Sequence, residues 1–311
     1  MTRGGPLQPP LRLAQALASH IAQNDAPVFW ETLRFGPSVC LQYLREARML
    51  NLPPADHTPL RHPPLPLVVA QARFAAQAGS ELSNEVTARF QASLFEAGYE
   101  FGQVTPVQTN EIVFGPGVPP SASVSASGFQ FSPEDKSWMV TLMADSVSLE
   151  TPSFLSFADQ FGPLLNEVLA AATAAVAPIS VTRVGLRFVN LLRSPDGQND
   201  WGRWLRPALV APHIDELLSP GVLNHNQQLI LDVAPQVRSA VRTGPAMHED
   251  QDAFLLDIDT FAELAALWTS ESVSGWFEQL NDSGVALFQA LVSAEMLSHL
   301  KYGDDGEVGA Q

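Results

Sequence analysis

A run of six prolines within fourteen residues constrains this chain more than any other feature of its sequence. The run spans residues 53–66 and has the sequence PPADHTPLRHPPLP. Proline fixes φ and lacks a backbone N–H, so this stretch is predicted to be extended or polyproline-like and cannot be helix. We call it the proline strap. It separates a short N-terminal segment, residues 1–52, from a long C-terminal segment, residues 67–311.

The segment at 1–52 has the pattern of three short helices and is predicted to be a helical appendage. Apolar residues recur in it at the three- and four-residue spacing of a buried helical face. A helical unit this small, without disulfides, is marginally stable alone. We therefore expect it to bury its apolar side chains in another chain, most simply a second copy, and the alternative is docking on the rest of its own chain. The candidate contact residues are Leu13, Leu17, Phe29, Trp30, Phe35, Tyr43 and Leu44.

Residues 67–311 alternate between strand-like and helix-like patterns, which predicts an α+β body. Short strand candidates separated by turn residues indicate an antiparallel-rich sheet, and long apolar helices are expected to pack on it. The body is either one unit or two halves, 67–192 and 193–311, in which a strand–helix–meander–helix order is weakly echoed. Further expectations are a loop at 115–128, one helix at 154–176 kinked at Pro163, and helices at 260–268 and 272–300.

Residues 180–192 form the most regular strand pattern in the chain. Successive side chains of a strand point to opposite faces, so Arg183 and Arg187 are predicted to share one face, opposite an apolar face. The same alternation places Asp257 and Asp259 together on another strand. Unpaired charges in a sheet are costly, and we expect the arginines to meet these aspartates on neighbouring strands. The alternative is that the two carboxylates bind Mg²⁺ or act as acid and base.

The charge of the chain is acidic and uneven. The formal net charge is −16, and residues 243–311 carry thirteen acidic residues against the single base Lys301. Such a surface repels a phosphate backbone, so no direct binding of double-stranded DNA is expected. One cluster of arginines would accept an anion, and with Trp204 it suggests a pocket that senses an anionic ligand. The cluster comprises Arg183, Arg187, Arg193, Arg203 and Arg206.

Cysteine and histidine usage predicts neither a cofactor nor a metal. Cys40 is the only cysteine, which suits a reducing compartment, and the seven histidines lack metal-binding spacing. No glycine-rich phosphate loop is present. No stretch approaches the roughly 20 apolar residues that span a bilayer, and the start does not have the pattern of a secretory signal. The chain is therefore expected to be cytoplasmic, with no membrane partner.

Two motifs of the body carry a resemblance to a known family. The motif RxGLRxxN occupies residues 183–190 and LDxD occupies 256–259, with the segments at 63–74 and 131–151 in the same order. In these elements the chain resembles the sporadically distributed TIGR-series family of bacterial proteins, to which no function is assigned. The resemblance covers roughly residues 62–300 and implies mobile or defence-related gene neighbourhoods. The helical segment at 1–60 departs from the family pattern.

These observations lead to an expected function with two alternatives. We expect a non-enzymatic protein that binds a protein partner, or a second copy of itself, in a bacterial defence or toxin–antitoxin-like module. The alternatives are a metal-dependent nuclease or phosphate hydrolase, and a sensor of an anionic ligand. No catalytic residue is assigned. The ligand or ion-pair candidates are Arg183, Arg187, Asn190, Trp204, Asp257 and Asp259.

Overall fold

The computed structural model describes residues 49–75, 82–115, 118–222 and 224–303, and for residues 108–115 and 118–127 it describes the backbone alone. Residues 1–48 of the appendage predicted at 1–52 lie outside the described residues. Its seven candidate contact residues, from Leu13 to Leu44, are among those outside. Residues 49–311 belong to one compact unit.

Nine strands form a single sheet in which every neighbouring pair is antiparallel. The order across the sheet is β2-β3-β4-β5-β1-β6-β9-β8-β7. Strands from both predicted halves of the body lie in this sheet, because β6 of the first half pairs with β9 of the second. The strands are β1 (Leu67–Ala75), β2 (Gln103–Gly115), β3 (Val118–Ser132), β4 (Met139–Met143), β5 (Ser146–Thr151), β6 (Ser180–Leu192), β7 (Gln227–Ala234), β8 (Val237–His248) and β9 (Gln251–Leu267).

Six α-helices in the described part of the chain contribute buried residues to one continuous core. Together with the sheet they confirm the predicted α+β fold. Short turns of π-helix (Phe157–Phe161) and 3₁₀-helix (Ser219–Gly221) accompany them. The α-helices are α1 (Asn84–Glu96), α2 (Gly162–Val176), α3 (Trp201–Trp204), α4 (Pro207–Ile214), α5 (Ser270–Leu291) and α6 (Ala294–Tyr302).

The order of elements repeats once along the chain. The first unit runs strand, helix, four-stranded meander, helix, from β1 to α2; the second runs from β6 through α3 and α4 and a three-stranded meander to α5. The first strand of each unit lies at the middle of the sheet, and its meander extends outward. The structure therefore has the internal repeat that the sequence only weakly echoes.

The sheet has two different faces. In β6 the even-numbered residues Val184 and Leu186 are fully buried under the helices, and we call this side the core face. The odd-numbered residues, with Arg183 and Arg187, lie on the opposite side, which we call the open face. The described helices all join the core on the core face. Strand β6 has the predicted bounds, and its alternation is confirmed.

The proline strap contains no helix, and it packs along the body. Its His62 N–H donates to the Leu300 carbonyl at 3.0 Å, and the Pro64 carbonyl accepts from Leu191 N–H at 2.8 Å. Just before it, Leu50 N–H donates to the carbonyl of Asp232 in the edge strand β7 at 2.9 Å. The strap is therefore part of the body and closes one side of the helical layer.

Two predicted elements are wrong because tertiary pairing overrides local propensity. Within 115–128, Gly115 ends β2 and the residues from Val118 belong to β3, which pairs with β2 alone as far as Ser127. Its prolines are tolerated there because no second ladder needs their N–H groups. The Ala-rich stretch at 260–268 is not a helix. It continues β9 to Leu267, because β8 pairs with it as far as Ala262 and β6 pairs with it as far as Leu267.

The two long helices are also shorter than predicted. The helix expected at 154–176 is a π-turn followed by α2, and Pro163 lies in the first turn of α2, where no N–H is needed, instead of kinking it. The helix expected at 272–300 is divided between α5 and α6. Ser293 caps the start of α6 by accepting a hydrogen bond from Met296 N–H at 3.1 Å.

Candidate functional site

The pairing of β6, β9 and β8 brings charged residues together at the centre of the open face. The register places Arg187 opposite Asp259, and Arg242 of β8 opposite Asp257. Because the residues on one face of a strand are two apart, Arg187 also reaches Asp257 diagonally. The predicted meeting of the two arginines with the two aspartates is therefore confirmed by the ion pairs described next.

Asp257 is the centre of this cluster. Its side chain is only 2% exposed, and it binds two arginines whose side chains are 44% (Arg187) and 39% (Arg242) exposed. Arg187 donates from Nε to Oδ1 at 2.8 Å and from Nη2 to Oδ2 at 2.9 Å, and Arg242 donates from Nη1 to Oδ2 at 3.1 Å. Both carboxylate oxygens are therefore engaged in charge-assisted hydrogen bonds. We call Arg187, Asp257 and Arg242 the arginine–aspartate cluster.

A second group of charges flanks this cluster along β6, β9 and β8. Arg183 lies 3.5 Å from Asp259, an ion pair too long for a strong hydrogen bond. Its guanidinium lies 4.7 Å from the centroid of the Phe261 ring, and that of Arg238 lies 5.3 Å from the same centroid. Arg238 also pairs with Glu263. All these guanidinium groups therefore have a carboxylate partner.

Glu150 of β5 lies across β1 from Arg187, because Val69 is the register partner of both residues. Burial raises the pKa of Glu150, and the positive charge of Arg187 acts in the opposite direction. The pKa of Arg187 is raised because its guanidinium donates hydrogen bonds to Asp257. The ion pair with Asp257 thus favours the charged form of Arg187, whereas burial disfavours the charged form of Glu150.

The two remaining ligand candidates lie on the core face, away from the charges. Asn190 is buried, and its Nδ2 donates to the carbonyls of Phe188 and Leu256. Trp204 is buried in the core, where its carbonyl accepts from Ser293 N–H and its Nε1 has no partner among the described residues. The suggested anion pocket of Arg183, Arg187 and Trp204 is therefore not formed.

The five arginines that cluster in sequence are separated in space. Arg193 pairs with Glu249. Arg203 pairs with Asp196 and Glu295, and its guanidinium lies 4.4 Å from the centroid of the Trp204 ring. Arg206 donates to the carbonyl of Ala290. Strand β6, which carries Arg183 and Arg187, ends at Leu192. Arg193, Arg203 and Arg206 follow it, in the part of the chain that leads into the helices α3 and α4.

Four charged members of the open-face group were not predicted from the sequence: Glu150, Arg238, Arg242 and Glu263. The signal for Arg242 was present, because Arg238 and Arg242 have the same parity in β8 as Arg183 and Arg187 have in β6. No comparable signal identified Glu150, since only the strand order brings β5 close to β6. Within the described residues no group of three or more His, Cys, Asp or Glu side chains could hold a metal ion.

No family model matches the chain, and no curated protein matches it. None of the helices described here is long and apolar enough to cross a membrane.

Proposed function

We propose that this chain is a non-enzymatic protein that binds a protein partner on the open face of its sheet. The observation that carries the proposal is the composition of that face. Half-exposed arginines, paired with carboxylates, lie at its centre, and partly exposed apolar residues such as Val69, Val189 and Leu191 lie beside them. A broad surface with apolar patches and fixed charges is typical of a protein interaction site.

The state of the aspartates favours binding over catalysis. A metal ligand or general base needs a free carboxylate oxygen, whereas both oxygens of Asp257 accept hydrogen bonds from arginines. Asp259 faces Arg183. A nuclease or phosphate hydrolase built on these aspartates would first have to break the ion pairs. This argument supports a recognition role for the charged residues.

A sensor of an anionic ligand is the second candidate. Arg187 and Arg242 share one buried carboxylate and remain 44% and 39% exposed. The two arginines together carry more positive charge than the single aspartate neutralises. Guanidinium groups bind carboxylates and phosphates well. The nearby Glu150 reduces this attraction when it is ionised. We therefore rank this candidate below the protein partner.

The biological setting is a proposal that rests on the resemblance of the RxGLRxxN and LDxD motifs. We place the chain in a bacterial defence or toxin–antitoxin-like module in the cytoplasm, with a partner encoded by a neighbouring gene. The partner is a different protein or a second copy of the chain. The single cysteine supports a reducing compartment.

The test is co-purification of the full chain with the proteins encoded by its neighbouring genes. Thr141, on the open face of β4, is changed to Arg to obstruct docking, and Ala88, exposed on α1, is changed to Arg as the matched control. We expect Thr141→Arg to lose the partner and Ala88→Arg to keep it. Retention by both variants would contradict docking on the open face.

The enzyme alternative is tested separately with Mg²⁺ and Mn²⁺. We expect neither ion to raise the melting temperature of the wild-type chain beyond that of Asp257→Ala. Metal-dependent stabilisation that disappears in Asp257→Ala, together with nuclease or phosphatase activity that disappears with it, would favour an enzyme.

A further inference from the structure

A cavity of about 730 Å³ lies on the core face, away from the arginine–aspartate cluster. The proline strap, the π-turn with the start of α2, and α5 form its sides, and Phe188 and Asn190 of β6 lie among its lining residues. A volume of several hundred Å³ is that of sites for small organic molecules. The cavity therefore lies between the strap, the helices and β6.

The cavity has an aromatic lining. Phe154, Phe157, Phe188, Phe277 and Phe288 line it. Phe154 and Phe188 contact each other edge to face, with their centroids 5.8 Å apart at 82°. Aromatic residues suit either an apolar group or an organic cation, because the faces of their rings attract positive charge.

Two buried amides of the lining have hydrogen-bonding capacity that the described residues do not use. Asn190 is 3% exposed and uses its Nδ2 for two carbonyls, so its Oδ1 remains as a free acceptor. Asn281 of α5 is 6% exposed and its amide has no partner among the described residues. The free amide atoms are not among the described buried atoms that lack a partner, so they are reached from the cavity, and polar groups on a cavity wall are typical of ligand contacts.

The charge at the exposed rim of the cavity is negative. Four carboxylates line it, those of Asp56, Asp159, Glu278 and Asp282. Asp56 is paired with Lys301, and Asp282 lies 2.9 Å from His57 Nε2. Asp159 and Glu278 have no basic partner among the described residues. The field at the entrance therefore attracts cations and repels anions.

From these features we infer that the cavity is a binding site for a small organic cation, a protonated amine attached to an apolar or aromatic group. The amine N–H groups donate to Oδ1 of Asn190 and to the amide oxygen of Asn281. The apolar group contacts the phenylalanine side chains, and the charges of Asp159 and Glu278 favour entry. This site is independent of the proposed protein partner, because it lies on the opposite side of the sheet.

The inference is tested by calorimetry on the full chain with three probes of equal shape. These probes are 2-phenylethylamine, the neutral 2-phenylethanol and the anion phenylacetate. We expect the amine to bind at least about tenfold more tightly than the alcohol, because only the cation gains from the acidic rim and the free acceptors. Phenylacetate is expected not to bind. Equal binding of all three probes, or no binding of the amine at about 5 mM, would overturn the inference.

A variant separates the ligand role of Asn281 from a structural one. Asn281→Leu removes the amide and keeps the volume, and Gln228→Leu makes the same kind of change at an exposed residue of β7 as the control. We expect Asn281→Leu to weaken amine binding by about tenfold without lowering the melting temperature, since an unpartnered buried amide contributes nothing to stability. Unchanged amine affinity, or a loss of stability in Asn281→Leu, would refute the assignment.

Discussion

At the scale of single residues, Asp257 is the buried charge of the open face that most needs compensating partners. It is almost fully buried on a sheet face that is otherwise half-exposed, and it holds two guanidinium groups. A buried carboxylate is tolerated only when its charge and its lone pairs are satisfied. Asp257 therefore determines how Arg187 and Arg242 are oriented on the open face, whichever partner that face receives.

Replacing Asp257 by Asn tests this role. Removing one partner of a fully buried ion pair costs about 3–5 kcal/mol, and the partial exposure of both arginines reduces the expected cost here to about 2 kcal/mol. The control is Glu263→Gln, which breaks the exposed pair with Arg238 and is expected to cost less than about 1 kcal/mol. Urea denaturation measures both. Equal losses in the two variants would show that Asp257 has no special role.

Glu150 makes the stability of the protein depend on pH. Burial raises its pKa above the ordinary value of 4.5, so the folded state binds its proton more tightly than the unfolded state. The contribution of Glu150 is therefore most favourable below the unfolded pKa and is lost as the pH rises through the folded pKa. We expect Glu150→Gln to be more stable than the wild type at pH 7.

The measurement is the free energy of unfolding of wild type and Glu150→Gln across the pH range. The advantage of the variant should shrink as the pH falls through the raised pKa of the folded state and should reach its minimum by about pH 4, where the carboxyl group is protonated in both states. A wild type that is the more stable protein at pH 7 would indicate that attraction to Arg187 outweighs the burial of Glu150.

At the scale of elements, α5 holds the helical layer against the centre of the sheet. Its Gly284 faces the sheet so closely that an added Cβ would lie 3.3 Å from the Phe188 ring and 3.3 Å from Thr260 Oγ1. The capping hydroxyl of Thr269 accepts from Ser272 N–H at 3.1 Å and starts the helix. The close approach at Gly284 explains why a residue of low helix propensity lies within a long helix.

We expect Gly284→Val to destabilise the protein by about 1–3 kcal/mol, because the new methyl groups would push α5 away from β6 and β9. Gly275→Ala is the control on the same helix, since an added Cβ there meets nothing within 4 Å. That change is expected to stabilise the protein by up to about 1 kcal/mol through helix propensity. Thermal and chemical denaturation measure both changes. Stabilisation by Gly284→Val would mean that the helix and sheet are not closely packed at this point.

At the scale of the whole molecule, four of the described arginines on the open face have carboxylate partners: Arg183, Arg187, Arg238 and Arg242. The chain as a whole has a formal net charge of −16. A phosphate backbone would therefore find little unpaired positive charge on this surface. The paired arginines are thus better suited to orienting the proposed protein partner than to attracting an anion over a long range.

The expected consequence is that the purified full chain does not bind double-stranded DNA tightly. A gel-shift assay at physiological salt should show no submicromolar complex. Affinity for DNA arises largely when basic side chains displace the counterions of the phosphates, and an acidic surface cannot do this. A submicromolar complex that weakens steeply with added salt would contradict this prediction.

The appendage predicted at 1–52 is tested by a chain that begins at Met49. Residues 49–311 form a compact unit that includes the whole sheet, and Leu50 and the proline strap are hydrogen-bonded to it. The shortened chain is therefore expected to fold. If the appendage contacts a second copy, light scattering should give the full chain a multiple of its own mass and the shortened chain a single mass.

The full-length control for this experiment carries Phe29→Ser and Trp30→Ser, which remove two predicted contact residues without shortening the chain. It is expected to lose the association as the shortened chain does. An identical oligomeric state in all three proteins would leave the appendage without the role proposed for it.

The sequence by itself determined those features that depend on neighbouring residues. Alternation in β6 placed Arg183 and Arg187 on one face, and the prolines at 53–66 excluded helix, because both effects arise from local backbone geometry. The antiparallel character followed from short strands and turns. The pairing of these arginines with Asp257 and Asp259 was also predictable, because unpaired charge in a sheet has a high energetic cost.

Only the tertiary structure decided features that depend on contacts between distant parts of the chain. Residues 260–268 have helical propensity, but pairing with β6 and β8 makes most of them part of β9. The strand order β5-β1-β6 brings Glu150 near Arg187. The cavity with Asn190 and Asn281 likewise requires the strap to cross α5. Periodicity in a sequence describes which face a residue occupies, whereas pairing across the sheet and packing over it decide which residues meet on that face.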